Sequence, residues 1–457
     1  MALNIEKKKA DYTEGSIIQS IIKMGTPSMI GFLAGHIYHL VDMWWVARLP
    51  EKEAAVAAVT IFANVSWVFS SINSLVGPGS VAVISRRYGE KNYDAAETAI
   101  KETYLLKLIF GTVFGILGFI FVDKIVYMAG ARGETIRLAV EYGRVMFLGM
   151  GVFLSTYSVY TALRGVANPN MAMGLMLGST LLNVILDPLL IFGYLGFPRM
   201  GVTGAAVASV ISYTTTFLAG IVIFSAGCTN VRFHLKSRIP MSLKTMLKII
   251  RIGVPAWVGN LSFSGARLAV MPMIAVYGNA VIAAYGVGMQ ISAVGMSILV
   301  GIGLGLAALI GHNLGADKKK RAKKTADQSL LLAIGIMVTI ALIVSTLASP
   351  IMKLYFGNSE ATQIGIALLR ILAIGFPFIG IYLMLEEIYS GVGLNTPAMV
   401  VSIGHSWFLE IPAIFVLTQI LNFNQNAVWW SITAASFVSA IGFYWYYRRG
   451  QWLHVRV

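Results

Sequence analysis

The 457-residue sequence has little charge: 12% of its residues are Asp, Glu, Lys or Arg, whereas 57% are hydrophobic. Soluble domains carry about 25% charged residues, so this composition excludes an ordinary soluble protein. A single cysteine, Cys228, excludes a disulfide framework and a cysteine-based metal cluster. The polar start of the chain is not followed by a short apolar run with a small-residue cleavage site, so we expect no signal peptide.

Motifs for catalysis and nucleotide binding are also missing. The patterns HExxH, Walker A and GxSxG do not occur in the sequence. The segment GIGLGLAALIG at 301–311 has glycines in GxGxG spacing, but it lies in an apolar segment without a preceding strand pattern. Glycines in such a segment favour close helix packing. The sequence therefore gives no reason to expect an enzyme.

Long apolar segments dominate the chain. About 18–20 apolar residues suffice to cross a bilayer as a helix. Dividing the chain at its polar, Gly and Pro clusters predicts twelve such spans, and thus an all-α polytopic membrane protein. The predicted spans are residues 17–48, 53–84, 95–122, 133–164, 170–194, 200–226, 243–274, 278–312, 322–349, 361–392, 397–421 and 426–448.

The net charge of +15 follows the predicted topology. Membrane proteins accumulate Lys and Arg in their cytoplasmic loops. Here basic residues concentrate in the N-terminal segment, in every second loop and after the last span, and the other loops are balanced or nearly uncharged. For the longest basic run, DKKKRAKK at 317–324, binding of anionic lipid is the alternative interpretation. We expect both termini in the cytoplasm, a multi-pass protein of the plasma or inner membrane, and no nucleic-acid partner.

The sequence also repeats itself at an offset of 226–228 residues. IIKMGTP at 21–27 returns as IIRIGVP at 249–255, and SRRYGEKN from Ser85 returns as GHNLGADK from Gly311. Two copies of six spans share one orientation, because six crossings return the chain to the same side. The repeat predicts two parallel six-helix repeats that form a V-shaped bundle of two lobes, an arrangement known in transporters.

This repeat sets the expected domain boundaries. Residues 1–16 are predicted as a cytoplasmic N-terminal segment and residues 17–227 as the N-lobe. A cytoplasmic linker at 228–242 leads to the C-lobe at 243–449. Residues 450–457 are predicted as a cytoplasmic C-terminal tail.

Two acids lie inside predicted spans of the N-lobe. A carboxylate at the centre of a membrane helix costs about 2.5–3.5 kcal/mol, so Asp42 in span 1 and Asp187 in span 5 are candidate functional residues. Asn183 lies four residues before Asp187 on the same helix face. Tyr38 lies one turn before Asp42, next to His39. Buried histidines often serve only packing, so His39 is the weakest of these candidates.

These polar groups predict a site for a small cation. Desolvation and a neighbouring carboxylate both favour the protonated form of an acid. Hard cations such as Na⁺ prefer oxygen ligands, which the same side chains supply. The alternative is that the acids only hydrogen-bond neighbouring helices.

The C-lobe carries different ionisable residues. Alignment of the repeats places Val270 opposite Asp42, so the second lobe has no equivalent acid. We expect Arg267 in span 7 to pair with Glu386 or Glu410, either for packing or for transport. Amides in equivalent places of spans 2 and 8 are expected to line the cleft. The candidate cleft residues are Asn64, Gln290, Tyr160, Glu386, Glu387, Glu410 and Arg267.

Several motifs together resemble the multidrug and toxic compound extrusion (MATE) family, in its prokaryotic form. They are GTPxxxG and YxLVDxxWVxRL in span 1, SRRYGEKN after span 2, LRGxANPxxAM after span 4, NxxLDPLLIFG in span 5 and GVTGAAVASVIS in span 6. The resemblance covers almost the whole chain. It implies export of organic cations and other amphipathic compounds, driven by inward movement of H⁺ or Na⁺.

The resemblance also implies an N-lobe site. Prokaryotic members use an aspartate on span 1, an Asn and an Asp on span 5, and a hydroxyl on span 6. The matching residues are Asp42, Asn183, Asp187 and Ser209. Two departures are that Tyr160 stands where similar members carry Asn, and that span 7 lacks the glutamate of some sodium-coupled members.

We therefore predict a cation-coupled antiporter. Asp42 is the coupling carboxylate and Asp187 its partner, with Asn183 and Ser209 completing an oxygen cage for H⁺ or Na⁺. Tyr38 and His39 are expected to tune Asp42. We expect no cofactor besides the coupling ion, small organic cations and the lipid bilayer as partners, and a monomer.

Two alternatives stay open. A lipid or glycolipid flippase of the wider superfamily would also have two lobes and no ATP site. Such a flippase would be expected to have basic residues in the cleft, and the sequence offers only Arg267 for this role. A membrane enzyme or receptor would have to explain both the repeat and the missing catalytic motifs.

Overall fold

Helices make up most of the computed structural model of the protein. The structure describes residues 11–234 and 239–455, without the side chains at 36, 37, 40, 52 and 67, and no strand occurs among these residues. Parts of the predicted N-terminal segment, linker and C-terminal tail lie outside the described residues.

The helices follow each other through short loops. They are α1 (Ile17–Val46), α2 (Lys52–Ser70), α3 (Asn73–Gly89), α4 (Tyr93–Met128), α5 (Glu134–Leu148), α6 (Met150–Gly165), α7 (Pro169–Phe192), α8 (Val202–Ser225), α9 (Leu243–Ala275), α10 (Asn279–Gly315), α11 (Lys319–Phe356), α12 (Glu360–Val392), α13 (Thr396–Ile420) and α14 (Asn426–Arg448). Two stretches of α13, Gly404–Glu410 and Val416–Ile420, are π-helical.

These helices confirm the predicted fold class, with two breaks that the sequence pattern did not predict. The span predicted at 53–84 is divided into α2 and α3, and the span predicted at 133–164 into α5 and α6, which meet at 54°. Over the described ranges, ten helices are long and apolar enough to cross a membrane, and the bent pair is an eleventh. The remaining predicted span is α9, a 33-residue helix whose first turns carry Lys244, Lys248 and Arg251.

Local sequence explains several helix ends. The Ser16 side chain caps α1 by accepting a hydrogen bond from the backbone of Gln19 at 3.5 Å, and Asn92 caps α4 in the same way through Ala95 at 3.1 Å. Gly193 ends α7 in the left-handed conformation that glycine adopts without strain. Pro27 lies inside α1, yet the helix continues to Val46.

The hydrophobic cores divide the molecule into two lobes. One core is built almost wholly from the second half of the chain, between Val270 and Trp452. Two further cores are built from the first half, with Ile249 of α9 as the exception. Helices α1–α8 therefore form the N-lobe and α9–α14 the C-lobe.

The lobes touch through close backbone contacts between α3 and α9. A Cβ atom added at Gly79 would lie 2.1 Å from the carbonyl oxygen of Ile249, and one added at Gly253 would lie 1.8 Å from that of Leu75. The repeat forms the same contact a second time between α1 and α10, where a Cβ atom at Gly305 would lie 2.4 Å from the carbonyl oxygen of Met24. Side chains would force each pair of helices apart.

These contacts lie on one side of the molecule. On the side of the N-terminus, α1 and α9 begin, and their first halves make these contacts. Helices α3 and α10 end on the same side, and the contacts involve α3 and the second half of α10. The chain ends also contact this side. Lys318, just before α11, and Arg321 of α11 donate hydrogen bonds to carbonyl groups of residues 12–15. Arg86 of α3 donates to the carbonyl oxygen of Val455 at 2.8 Å. The two lobes are therefore closed against each other on the side of the N-terminus.

Replacing Gly79 with alanine is expected to destabilise this closed side. The new Cβ atom would meet a backbone oxygen, which no change of rotamer can move, and overpacking of this kind costs about 1–3 kcal/mol. The thermal unfolding midpoint of the purified protein should fall.

Gly335→Ala on α11 is the matched control, because a Cβ atom there has nothing within 4 Å. An equal midpoint for both variants would contradict the close contact between α3 and α9.

Candidate functional site

The predicted N-lobe acids lie together in the interior of the lobe. Asp42 on α1 is 3% exposed, and Asp187 on α7 is fully buried. The two carboxyl groups are close enough for their charges to interact. Asn183, also fully buried, donates its amide N–H to Asp187 Oδ1 at 3.2 Å. The helical spacing that placed Asn183 and Asp187 on one face therefore brings them into contact.

Three buried oxygen atoms of this group accept no hydrogen bond within the described part of the chain. They are Asp42 Oδ1, Asn183 Oδ1 and Asp187 Oδ2. Leaving a buried polar atom unsatisfied is unfavourable, and more so when it carries charge. A proton on a carboxylate, or a hard cation such as Na⁺ between the oxygens, removes this penalty, so the residues present fit either ion.

Ser209 on α8 has a different role in this geometry. Its hydroxyl donates to the carbonyl oxygen of Ala205 at 3.0 Å, and its oxygen meets the hydroxyl of Tyr38. Through these two contacts Ser209 joins Tyr38 to α8, and because its oxygen keeps a second lone pair, its role as a cation ligand stays a prediction. Tyr38 in turn lies one turn from Asp42, whose charge acts on it.

His39 is exposed and is placed at the edge of this group. Its ring packs edge-on against Tyr38, with the ring centroids 4.8 Å apart. Across all residues that the structure describes, no cluster of three His, Cys, Asp or Glu side chains is arranged to hold a metal ion. The site is therefore an oxygen site in which amide and hydroxyl groups accompany the two acids.

Two tyrosines near the acids were not predicted from the sequence. Tyr142 on α5 is buried and close enough to both acids to interact with their charges. Tyr213 on α8 is half-buried, and its ring centroid lies 6.3 Å from that of Tyr38. A tyrosine in an apolar span resembles any packing aromatic, so neither residue was recognisable from the sequence.

A second polar region lies between the lobes. It is a cavity of about 220 Å³ bounded by α1, α3, α6 and α7 of the N-lobe and by α9, α10 and α12 of the C-lobe. Its charged lining residues are Arg164, Glu386 and Glu387, and Tyr160 also lines it. Three of the predicted cleft residues, Tyr160, Glu386 and Glu387, are thus brought together.

The other predicted cleft residues lie elsewhere. The guanidinium of Arg267 lies over the ring of Phe263, 5.1 Å from its centroid, and not in an ion pair with Glu386 or Glu410. Glu410 Oε2 instead lies 3.3 Å from His405 Nε2, because a π-helical turn brings residues five apart into contact. Asn64 and Gln290 are exposed and do not line the cavity.

Two buried cations near the cavity were also missed. Lys107 in the middle of α4 is 2% exposed, and its ammonium group donates to the side-chain oxygen of Asn73. Arg164 at the end of α6 is 5% exposed. Lys107 was recognisable from the sequence, since it is a charged residue between leucines in a predicted span.

Comparison with known proteins supports a transporter family. The family model MatE matches the chain twice, at residues 27–189 and 255–416, which reproduces the internal repeat. The chain is similar to the "Probable multidrug resistance protein YoeA" of Bacillus subtilis, with 27% identity over 95% of this chain and 94% of that protein. It is also similar to the "Multidrug export protein MepA" of Staphylococcus aureus, with 25% identity over 94% of this chain and 93% of that protein.

A solved structure has the same fold. A transporter of the MOP superfamily from Pyrococcus furiosus, for which a reverse polarity of the binding pocket suggests a different function, matches with a TM-score of 0.87 and 26% identity. The match covers 96% of this chain and 97% of that one. Because the family model covers more than half of the sequence in both repeats, the chain belongs to the MatE family, the transporters that its motifs resemble.

Proposed function

We propose that the protein is a secondary active transporter that exports amphipathic and cationic organic compounds in exchange for H⁺ or Na⁺. The observation that carries the proposal is the buried group of Asp42, Asn183 and Asp187, with its three unsatisfied oxygen atoms. In this proposal Asp42 and Asp187 bind the coupling ion, and Asn183 completes its surroundings.

Helix α1 offers a physical link between the ion and the lobes. Its second half carries Asp42 next to α7, and its first half forms the close contact with α10 of the C-lobe. Binding of the ion changes the charge at Asp42 in the second half of α1. The first half of the same helix packs against α10, where the two lobes are closed. Ion and substrate then shift the same conformational equilibrium in opposite directions, as alternating exchange requires.

The direction of transport follows from the predicted topology. If the N-terminus is cytoplasmic, as the distribution of basic residues indicates, the closed side of the present structure faces the cytoplasm. In this proposal the lobes then separate toward the outside, where substrate is released and the coupling ion is admitted.

Neutralising the coupling acids is expected to abolish gradient-driven efflux. Asp42→Asn and Asp187→Asn keep the shape of the side chains but remove the exchangeable charge. In proteoliposomes under an imposed pH or Na⁺ gradient, efflux of a fluorescent organic cation should fall to the level of protein-free liposomes, whereas dye binding persists. The gradient to which the wild type responds identifies the ion.

Asp123→Asn is the matched control, because this acid is mostly exposed and pairs with Arg144 at the surface. Full efflux by Asp42→Asn would contradict the proposed coupling site, and loss of efflux in Asp123→Asn would mean that any acid substitution damages the protein.

The hydrogen bond between Tyr38 and Ser209 is expected to support coupling without being essential. Tyr38→Phe or Ser209→Ala should lower the efflux rate roughly two- to tenfold, since one hydrogen bond contributes about 0.5–1.5 kcal/mol. The double variant should lose no more than either single variant, because both changes remove the same bond.

The control for this cycle is Tyr194→Phe, which alters an exposed tyrosine. Additive losses in the double variant would show that Tyr38 and Ser209 act separately.

One observation favours the flippase alternative. Recognition of a lipid phosphate would need basic residues at the cleft, and the buried Lys107 and Arg164 supply them. Arg267 does not, because it lies over Phe263 away from the cavity. We expect the export function to prevail, so reconstituted protein should not accelerate the exchange of a fluorescent phospholipid between leaflets. Fast exchange that the Arg164→Gln substitution abolishes would instead favour the flippase.

A further inference from the structure

The N-lobe wall of the central cavity presents cationic donors. Arg164 is 5% exposed, and its Nε atom has no partner among the described residues. Its Nη2 atom reaches the hydroxyl of Thr161 only at 3.5 Å. In the described ranges, no carboxylate oxygen lies within 4.0 Å of a nitrogen of this guanidinium, which is the limit for an ion pair. Buried charges are normally paired, and this arginine has no acid in direct contact with it among the described residues.

Lys107 reinforces this charge from behind the cavity wall. Its ammonium group acts on Arg164 electrostatically and donates to the oxygen of the Asn73 side chain. Asn73 itself lines the cavity. Because its oxygen faces Lys107, its two amide N–H donors are the atoms that remain for a ligand. An anionic group in the cavity would thus meet a guanidinium and an amide, with a second cation close by.

The C-lobe wall has the opposite character. Glu386 and Glu387 on α12 line the cavity, and neither carboxylate has a hydrogen-bond partner within the part of the chain that the structure describes. Glu387 attracts Arg164 across the cavity, but their charged atoms lie beyond ion-pair distance. Ionised carboxylates only accept hydrogen bonds, so this wall suits an amine or another cationic donor.

We propose that the central cavity binds zwitterionic substrates, with the anionic group on Arg164 and Asn73 of the N-lobe and the cationic group on Glu386 and Glu387 of the C-lobe. A simple cation would leave Arg164 without a charged partner in contact, and a simple anion would leave both glutamates without one. A molecule that carries both charges provides a contact partner for both walls. This inference rests on the proposed export function and narrows its substrate class.

The arrangement also makes the substrate a bridge between the lobes. Arg164 belongs to α6 and the glutamates to α12, so the two charged walls move apart when the lobes separate. A zwitterion would therefore bind tightly only while the walls face each other, and its affinity would fall as they part. Such a difference in affinity between two states is what drives exchange.

A pair of dyes that differ in one charge tests the proposal. A rhodamine with a free carboxylate is zwitterionic, and its methyl ester has the same ring system and only the positive charge. With the full-length protein in proteoliposomes, the wild type should bind the carboxylate dye at least about tenfold more tightly than the ester, as expected for a charge-assisted hydrogen bond in a buried site. Equal affinities, or tighter binding of the ester, would overturn the proposal.

Variants assign this preference to the two walls. Arg164→Gln should reduce the affinity ratio to about one by weakening only the carboxylate dye, and Glu387→Gln should weaken both dyes. Arg164→Lys keeps the positive charge and should retain part of the preference for the carboxylate dye. This variant tests the assignment even if Arg164→Gln does not fold. Arg144→Gln is the control, because this arginine is exposed on α5 and bound to Asp123. An unchanged ratio in Arg164→Gln would overturn the assignment.

Efflux in the same liposomes separates this proposal from the proposed function. Efflux of the ester together with weak binding of the carboxylate dye would overturn the zwitterion site and leave the export function standing. Tight binding of the carboxylate dye without gradient-driven efflux of either dye would support the site and overturn the export function.

Discussion

The energetic penalty of placing ionisable groups in an apolar interior governs this structure. Each unpaired charge at the centre of a membrane helix costs a few kcal/mol, so a chain retains one only where neighbouring helices or a bound ion compensate it. Here the two acids of α1 and α7 are buried next to an amide that donates to one of them, and the two cations of α4 and α6 lie next to an asparagine and a cavity. The positions of α1, α4, α6 and α7 are set by this need as much as by apolar packing.

The close contact of the lobes follows from the same reasoning. In a membrane, apolar surfaces gain little by leaving lipid for protein, so helices associate through close backbone packing and polar contacts. Glycines at Gly79 and Gly253 allow carbonyl groups of one lobe to touch helices of the other. The lobes are therefore held together by close backbone contacts between α3 and α9 and between α1 and α10, and the polar cavity lies beside them.

An aromatic series connects the two polar regions. From Tyr38 beside the acids, ring neighbours lead through Tyr213, Phe153 and Tyr157 to Tyr160 at the cavity, with centroid separations between 4.9 and 6.3 Å. Side chains of this size are confined by their neighbours, so the two polar regions are joined by packed aromatic rings. Tyr160 is the last member of this series.

Most of the fold could be predicted from the sequence, because hydropathy and the internal repeat both act over long segments. The helix boundaries lie within a few residues of the predicted spans for α1, α7 and α14. The break between α2 and α3 was not predictable, since residues 70–73 carry no proline or glycine and differ little from their surroundings. At the site, helical spacing sufficed to join Asn183 to Asp187. The partner of Lys107, Asn73, lies on another helix, so hydropathy and spacing along one helix do not indicate it. The partner of Arg267, Phe263, is four residues away on α9 and fits helical spacing, but the prediction considered only acids for this arginine.

The two breaks have a consequence for how the two halves of this molecule have diverged. The unbroken helices α10 and α12 occupy in the second repeat the places that α2–α3 and α5–α6 occupy in the first. The breaks thus interrupt helices of the N-lobe at places where the matching helices of the C-lobe are continuous. A protein rebuilt from two identical copies of either half would have the same breaks in both lobes, and would lose this difference between them.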